Sequence, residues 1–141
     1  MDTSSKWISS DAYVYTDRIG DGAWIGSGSK IEPGAYIGAG AIIRADAIIR
    51  AGARVGSKAS VGADACIGYH TIISPKAHIG AKAQIWNRAS VGVGACIGPK
   101  AYIGTGAQIG AGARIGTRAI VPNGAVVPDG ARVGAGERFT G

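Results

Sequence analysis

From Ile19 onward every sixth residue is Ile or Val: Ile25, Ile31, Ile37, Ile43, Ile49, Val55 and Val61 begin a series that reaches Val133 without insertion or deletion. Two residues before each member stands a small residue, almost always Ala, with Ser29 and Thr71 among the exceptions. Gly follows at most steps, as in Ile25-Gly26, Ile37-Gly38 and Ile109-Gly110. The unit is therefore Ala-x-(Ile/Val)-Gly-x-x. On a strand, residues two apart share a face, so Ala and Ile both point inward around one outward residue. Ile and Val suit strands because they branch at Cβ. Gly, Asp and Asn supply turn positions at which φ is positive. Each hexad reads as a short strand and a sharp corner.

Composition agrees with a narrow, regular core. The 141 residues contain 25 Gly, one Phe and no Leu, too few bulky side chains for a spherical interior. The formal charge of +6 comes from Lys and Arg spread along the chain, which fits a solvated surface and gives no dense patch for specific nucleic-acid binding. The start, Met1-Asp2-Thr3-Ser4-Ser5-Lys6-Trp7, lacks an apolar leader, and no stretch is long enough to span a membrane. With two cysteines and no leader, a reducing, cytoplasmic setting is expected.

The periodicity divides the chain into an N-terminal cap with a first irregular coil (1–18), a regular helix of hexads (19–136) and a C-terminal cap (137–141). Stepping back by six from Ile19 predicts Tyr13 and Trp7 as inward residues, with Asp17, Asp11 and Ser5 in the small positions. Stepping forward predicts Phe139 inward, with Glu137 in place of Ala. Aromatic lids and charges at both ends would block the addition of further coils.

The hexads resemble those of the hexapeptide-repeat, or transferase hexapeptide, superfamily over nearly the whole chain. The resemblance implies an all-β, single-stranded left-handed parallel β-helix: a triangular prism of about seven coils, three hexads to each, with no inserted loops. Eighteen residues per coil would place the outward residues in three columns. The first is Trp24, Ile42, Ser60, His78, Cys96, Arg114, Arg132; the second is Lys30, Ile48, Cys66, Gln84, Tyr102, Ile120; the third is Arg18, Tyr36, Arg54, Ile72, Ser90, Gln108, Val126. Cys66 and Cys96 fall in different columns, which excludes a disulfide between them. The large apolar residues among these positions, Trp24, Tyr36, Ile42, Ile48, Ile72, Tyr102 and Ile120, are candidates for a subunit interface. The family association is commonly a parallel trimer, so a homotrimer is expected, with a larger assembly left open.

Enzymes of this superfamily are chiefly acyltransferases that use a His general base and bind acyl-CoA between subunits. His78 is the first candidate for that base and His70 the second. The run Ile67-Gly68-Tyr69-His70 is similar to late coils of sugar acetyltransferases. In lipid A acyltransferases a His-x-x-His pair brackets the core Ile; His78 matches its first member, and Ala81 occupies the second, catalytic one. Ile43-Arg44-Ala45-Asp46 resembles a segment of γ-class carbonic anhydrases. Two His at this spacing do not make that family's three-His zinc site, so no metal is expected. Lys82, Lys100 and Arg118 recur at one corner, after Asp46 and Asp64, and are candidates for holding an anion.

The unbroken register, with no protruding loop or terminal helix, leads to a first expectation of a non-catalytic trimeric scaffold or assembly element without cofactor. The alternatives are a minimal acyl-CoA-dependent acyltransferase with its site in the inter-subunit groove, and an anion-binding protein.

Overall fold

The computed structural model describes residues 6–140. The chain winds as a three-sided prism of about seven turns in which each hexad contributes a two-residue strand. All pairing is parallel. The first face has eight strands, from Trp7–Ile8 to Arg132–Val133. The second has seven, from Tyr13–Val14 to Ile120–Val121. The third has six, from Tyr36–Ile37 to Val126–Val127. In the regular coils each strand pairs with the one three hexads later, as Ile42 with Ser60 and Ile43 with Val61.

The inward series from Ile19 to Val133 is buried throughout, and it stacks with the small residues into one continuous core. Burying one such side chain contributes roughly 1.5–3 kcal/mol. Ser29 and Thr71, the polar members of the small column, keep their hydroxyls satisfied: Ser29 donates to the Gly26 carbonyl and Thr71 to the Trp86 carbonyl at 2.9 Å.

The corners are type II turns closed by the next hexad's Ala, as where the Ala83 amide donates to the Gly80 carbonyl at 3.2 Å. Their third residue is left-handed. Many corners use Gly there, but Asp46, Lys58, Asp64, His70, Lys76, Lys82, Arg88, Lys100 and Arg118 hold φ between 55° and 64°. A side chain in this region costs about 1–2 kcal/mol. Each of these amides is tied to the preceding coil, as Lys82 is to the Ala63 carbonyl at 2.9 Å.

The Gly that directly follows the core Ile or Val has a different reason. Its φ is not left-handed; it is there because the next coil passes too close for a side chain. A Cβ on Gly98 would stand 2.7 Å from the Thr117 nitrogen. Accordingly, Gly62, Gly80 and Gly98 donate to the next coil at 2.7 Å, whereas Arg44, Arg50 and Trp86 in the same turn position do so at 2.9–3.0 Å. The hexad thus uses glycine in two roles, one for backbone conformation and one for close approach.

The N-terminal coil departs from the expected register. Trp7 pairs with Trp24 and Tyr13 with Lys30, so Val14 takes the inward position and Ile8, in register with Ile25, stays exposed at the end of the prism; Trp7 and Tyr13 face outward. The corner from Val14 to Ile19 is one residue short, and Thr16 bridges it. Its hydroxyl donates to the Ala35 carbonyl at 2.9 Å and accepts from the Arg18 amide at 3.2 Å. A one-residue shift exchanges the two sides of a strand, so Asp11 leaves the small column and Ala12 enters it against the core, while Asp17, within the shortened corner, is exposed. Among the described residues, no aromatic lid closes this end. Instead the Trp7 and Trp24 rings stack outside, 4.7 Å apart. The Ser5 assignment lies outside the described residues. At the C-terminal end Arg138 bridges to Ile120, and Phe139 packs half-buried on the core as expected.

Candidate functional site

A concavity of about 680 Å³ runs along the first face beside its corner with the second. Its floor is the close-approach glycine column: Gly62, Gly80, Gly98, Gly116 and Gly134. Without side chains there, a trough lies between the outward column of the first face and the small corner residues. The trough spans about 19 Å, four strand spacings of about 4.8 Å. Arg44 replaces Gly in this column at the N-terminal end.

One wall is the outward column. His78 pairs in register with Ser60 on one side and Cys96 on the other, and Cys96 continues to Arg114 and Arg132. All five line the trough, with His78 exposed and Cys96 half-buried. The wall therefore offers an imidazole at one level and two guanidiniums at the C-terminal end, in a polar strip of known order. An imidazole can accept a proton from a bound hydroxyl or amine, and guanidiniums can pair with phosphate oxygens.

The remaining candidates lie elsewhere. His70 is a left-handed corner residue between the second and third faces, its ring folded over Gly52, on the far edge of the second face from the trough. Lys82, Lys100 and Arg118 occupy successive left-handed positions at the corner that borders the trough, with φ of 63°, 62° and 61°. The interface candidates are not gathered together. Trp24 and Ile42 adjoin on the first face, and Tyr102 and Ile120 on the second. Ile48 stands apart on the second face, and Tyr36 and Ile72 flank Arg54 on the third. Both cysteines are free. Among the described residues, no three His, Cys, Asp or Glu are grouped to hold a metal ion, and no helix is long and apolar enough to cross a membrane.

Reading the sequence for His alone missed the trough itself. Its signal was present as Gly recurring every eighteen residues from Gly62, beside the column that joins His78 to Arg114 and Arg132.

Residues 18–51 match the model of the bacterial transferase hexapeptide (six repeats) family. No curated protein compared with the chain matches it significantly in sequence. Among solved structures, it resembles a mutant of GDP-perosamine N-acetyl transferase from Caulobacter crescentus in complex with CoA and GDP-perosamine. The identity is 20%, covering 94% of this chain and 54% of that one, with a TM-score of 0.57. It also resembles a UDP-N-acetylglucosamine acyltransferase from Bacteroides fragilis, at 17% identity over 94% of this chain and 67% of that one, with a TM-score of 0.55. A third likeness is serine acetyltransferase isoform 3 from Entamoeba histolytica in complex with cysteine, at 17% identity over 61% and 34% of the two chains, with a TM-score of 0.52. The chain spans about half the length of the perosamine enzyme, and at these identities the likeness is one of fold. The expectation of a non-catalytic scaffold gains no support, and the match to a transferase family fits the acyltransferase alternative better. The periodicity and the three parallel faces make this chain a parallel β-helix of hexapeptide repeats, and its hexads at 18–51 match the transferase hexapeptide family.

Proposed function

We propose that the chain is an acyl-CoA-dependent acyltransferase whose reaction takes place in the trough of the first face, with His78 as general base. The observation that carries this reading is the placement of His78 in the trough, in one wall with Arg114 and Arg132. The acyl-CoA thioester would lie beside His78, and its extended arm would follow the glycine floor. Its phosphates would reach the guanidiniums, with Lys82, Lys100 and Arg118 adding positive charge along the adjoining corner.

The imidazole takes a proton from the acceptor hydroxyl or amine as that oxygen or nitrogen attacks the thioester carbonyl. The carbon–sulfur bond then breaks, and the CoA thiolate leaves and collects a proton. The trough is open to one side, and a second subunit would close it, so the active form is proposed to be a homotrimer with sites between subunits. A cytoplasmic setting would supply both acyl-CoA and a reducing environment for Cys66 and Cys96.

The test is thiol release from acetyl-CoA across a panel of amino-sugar, nucleotide-sugar and amino-acid acceptors. His78→Asn is expected to lower kcat by about 10²–10⁴ without changing the melting temperature. Full activity in that variant would overturn the role of His78. Absence of CoA binding and of turnover with every acceptor would overturn the reading as a whole. Sedimentation of the parent protein checks the trimer.

A further inference from the structure

A second concavity, of about 440 Å³, opens at the corner between the second and third faces, on the opposite edge of the second face from the trough. It exists because of one glycine. In this corner column Arg50, Gly68 and Trp86 follow one another at single-coil intervals, so Gly68 leaves a gap between a guanidinium-bearing residue and an indole-bearing one. Their backbones are about 9.6 Å apart, two strand spacings, so the level between them is open to a flat ring. Tyr69 lies alongside with the Arg50 guanidinium 5.7 Å from its ring centre, and the Trp86 ring continues to Tyr102 at 5.9 Å.

The edges of the slot are polar. Gln84 and Asn87 line it. The Asn87 Oδ1 already accepts the Tyr69 amide at 3.0 Å, which turns the question of what it can offer to its NH2 group. Cys66 lines the same slot and contacts Arg50. The Arg50 charge is not free: Glu32 lies 3.3 Å away, and its other oxygen accepts from the Ala51 amide at 3.0 Å. Burial pulls the Arg50 guanidinium down, but its contacts with Cys66, Glu32 and Tyr69 outweigh this and hold it above its ordinary value.

These features select among ligands. With its charge already paired, Arg50 is a stacking plane rather than an anion receptor, which argues against a free phosphate. Two carboxamides at the edge argue against a purely apolar chain. Aromatic rings, a guanidinium plane and amide edges together match the requirements of a heterocyclic base, which stacks by its faces and hydrogen-bonds by its rim. We propose that this slot binds the base of a nucleotide, stacked against Trp86 and met at its edge by Gln84 and Asn87. The site is separate from the trough and independent of acyl transfer.

Titration calorimetry of the full chain with AMP, GMP, CMP and UMP tests it, with ribose 5-phosphate as the control. At least one nucleotide is expected to bind saturably, and ribose 5-phosphate is expected to give no heat. Trp86→Ala should weaken binding about tenfold to a hundredfold. Trp86→Phe should recover most of it, and His78→Asn should leave it unchanged. Trp86 is a half-open corner residue, so circular dichroism of both Trp86 variants is expected to match the parent. Equal binding of ribose 5-phosphate, parental affinity in Trp86→Ala, or no saturable binding by any of the four nucleotides would overturn the proposal. None of these readouts needs turnover, so a failed acyltransferase assay leaves the result interpretable.

Discussion

The two edges of the second face are built on the same turn and differ in one column. In the regular coils, the residue after the core Ile or Val at the edge shared with the first face is Gly, with Arg44 the departure; at the edge shared with the third face it is Glu32, Arg50, Gly68, Trp86, Gly104 and Pro122. The first edge is a long bare trough; the second is a row of side chains interrupted at Gly68 and Gly104, with the slot at Gly68. Where this residue is Gly, coils approach to a 2.7–2.8 Å hydrogen bond, and where it is not, they stand at 2.9–3.0 Å. The prism therefore tolerates a side chain at this position by opening slightly. Its two concavities are set by where that happens, while the core beneath both edges stays the same.

The strongest way to break that comparison is to attack the shared core. Ile73→Asp places an unpaired carboxylate where Ile73 is buried on the third face. It should lose about 5 kcal/mol or more and abolish the cooperative melt seen by circular dichroism. A parental melt would mean that the inward series is not inward. Next in size is Gly98→Val in the trough floor. Its Cβ meets the backbone of Gly116 and Thr117 at 2.7 Å, so the coils must part as they do at Arg44. A loss of about 1–3 kcal/mol is expected, and with it the CoA binding proposed for the trough. Trp86→Gly at the other edge should leave stability nearly unchanged, which makes the pair a direct measure of close approach.

A smaller effect lies one residue-type away. Lys82→Gly relieves a left-handed side chain but loosens the unfolded chain, and the balance should stabilise the protein by up to about 1 kcal/mol. An unchanged or lower melting temperature would show that the Lys82 side chain makes a compensating contact. The smallest effect belongs to the first coil. Hydrogen bonds from the Ser9 and Ser27 hydroxyls hold the Asp11 carboxylate below its ordinary value of 3.8. A depressed acid stabilises above its unfolded value, so this tie between the first two coils is present at neutral pH. It is lost as the pH falls below 3.8 toward the folded value. Asp11→Asn should speed amide exchange in residues 7–14 at pH 7, while parent and variant converge in acid.

The core was legible because the hexad constrains it twice, through a small and a branched residue at fixed spacing, and every member from Ile19 to Val133 is where the period puts it. The first coil was not, because a count of six runs past the shortened corner. Ala12-Tyr13-Val14 carries the Ala-x-Val signature, one residue out of phase, and only pairing of Trp7 with Trp24 and Tyr13 with Lys30 fixes it. Likewise His78 and its column could be read from the order of residues, whereas the trough beside it depends on five glycines lying over one another.

By itself, then, the sequence determined the repeat and its inward residues from Ile19 on, because a period of six leaves a strand and a corner little freedom; the sorting of outward residues into three columns came from the resemblance to hexapeptide-repeat proteins. The tertiary structure decided which glycines bend the chain and which admit the next coil. It also decided that His78 stands in a groove while His70 folds over Gly52, and that Arg50 and Trp86 flank a gap. Those outcomes depend on what lies a full coil away, a distance of eighteen residues along the chain but a single strand spacing in space.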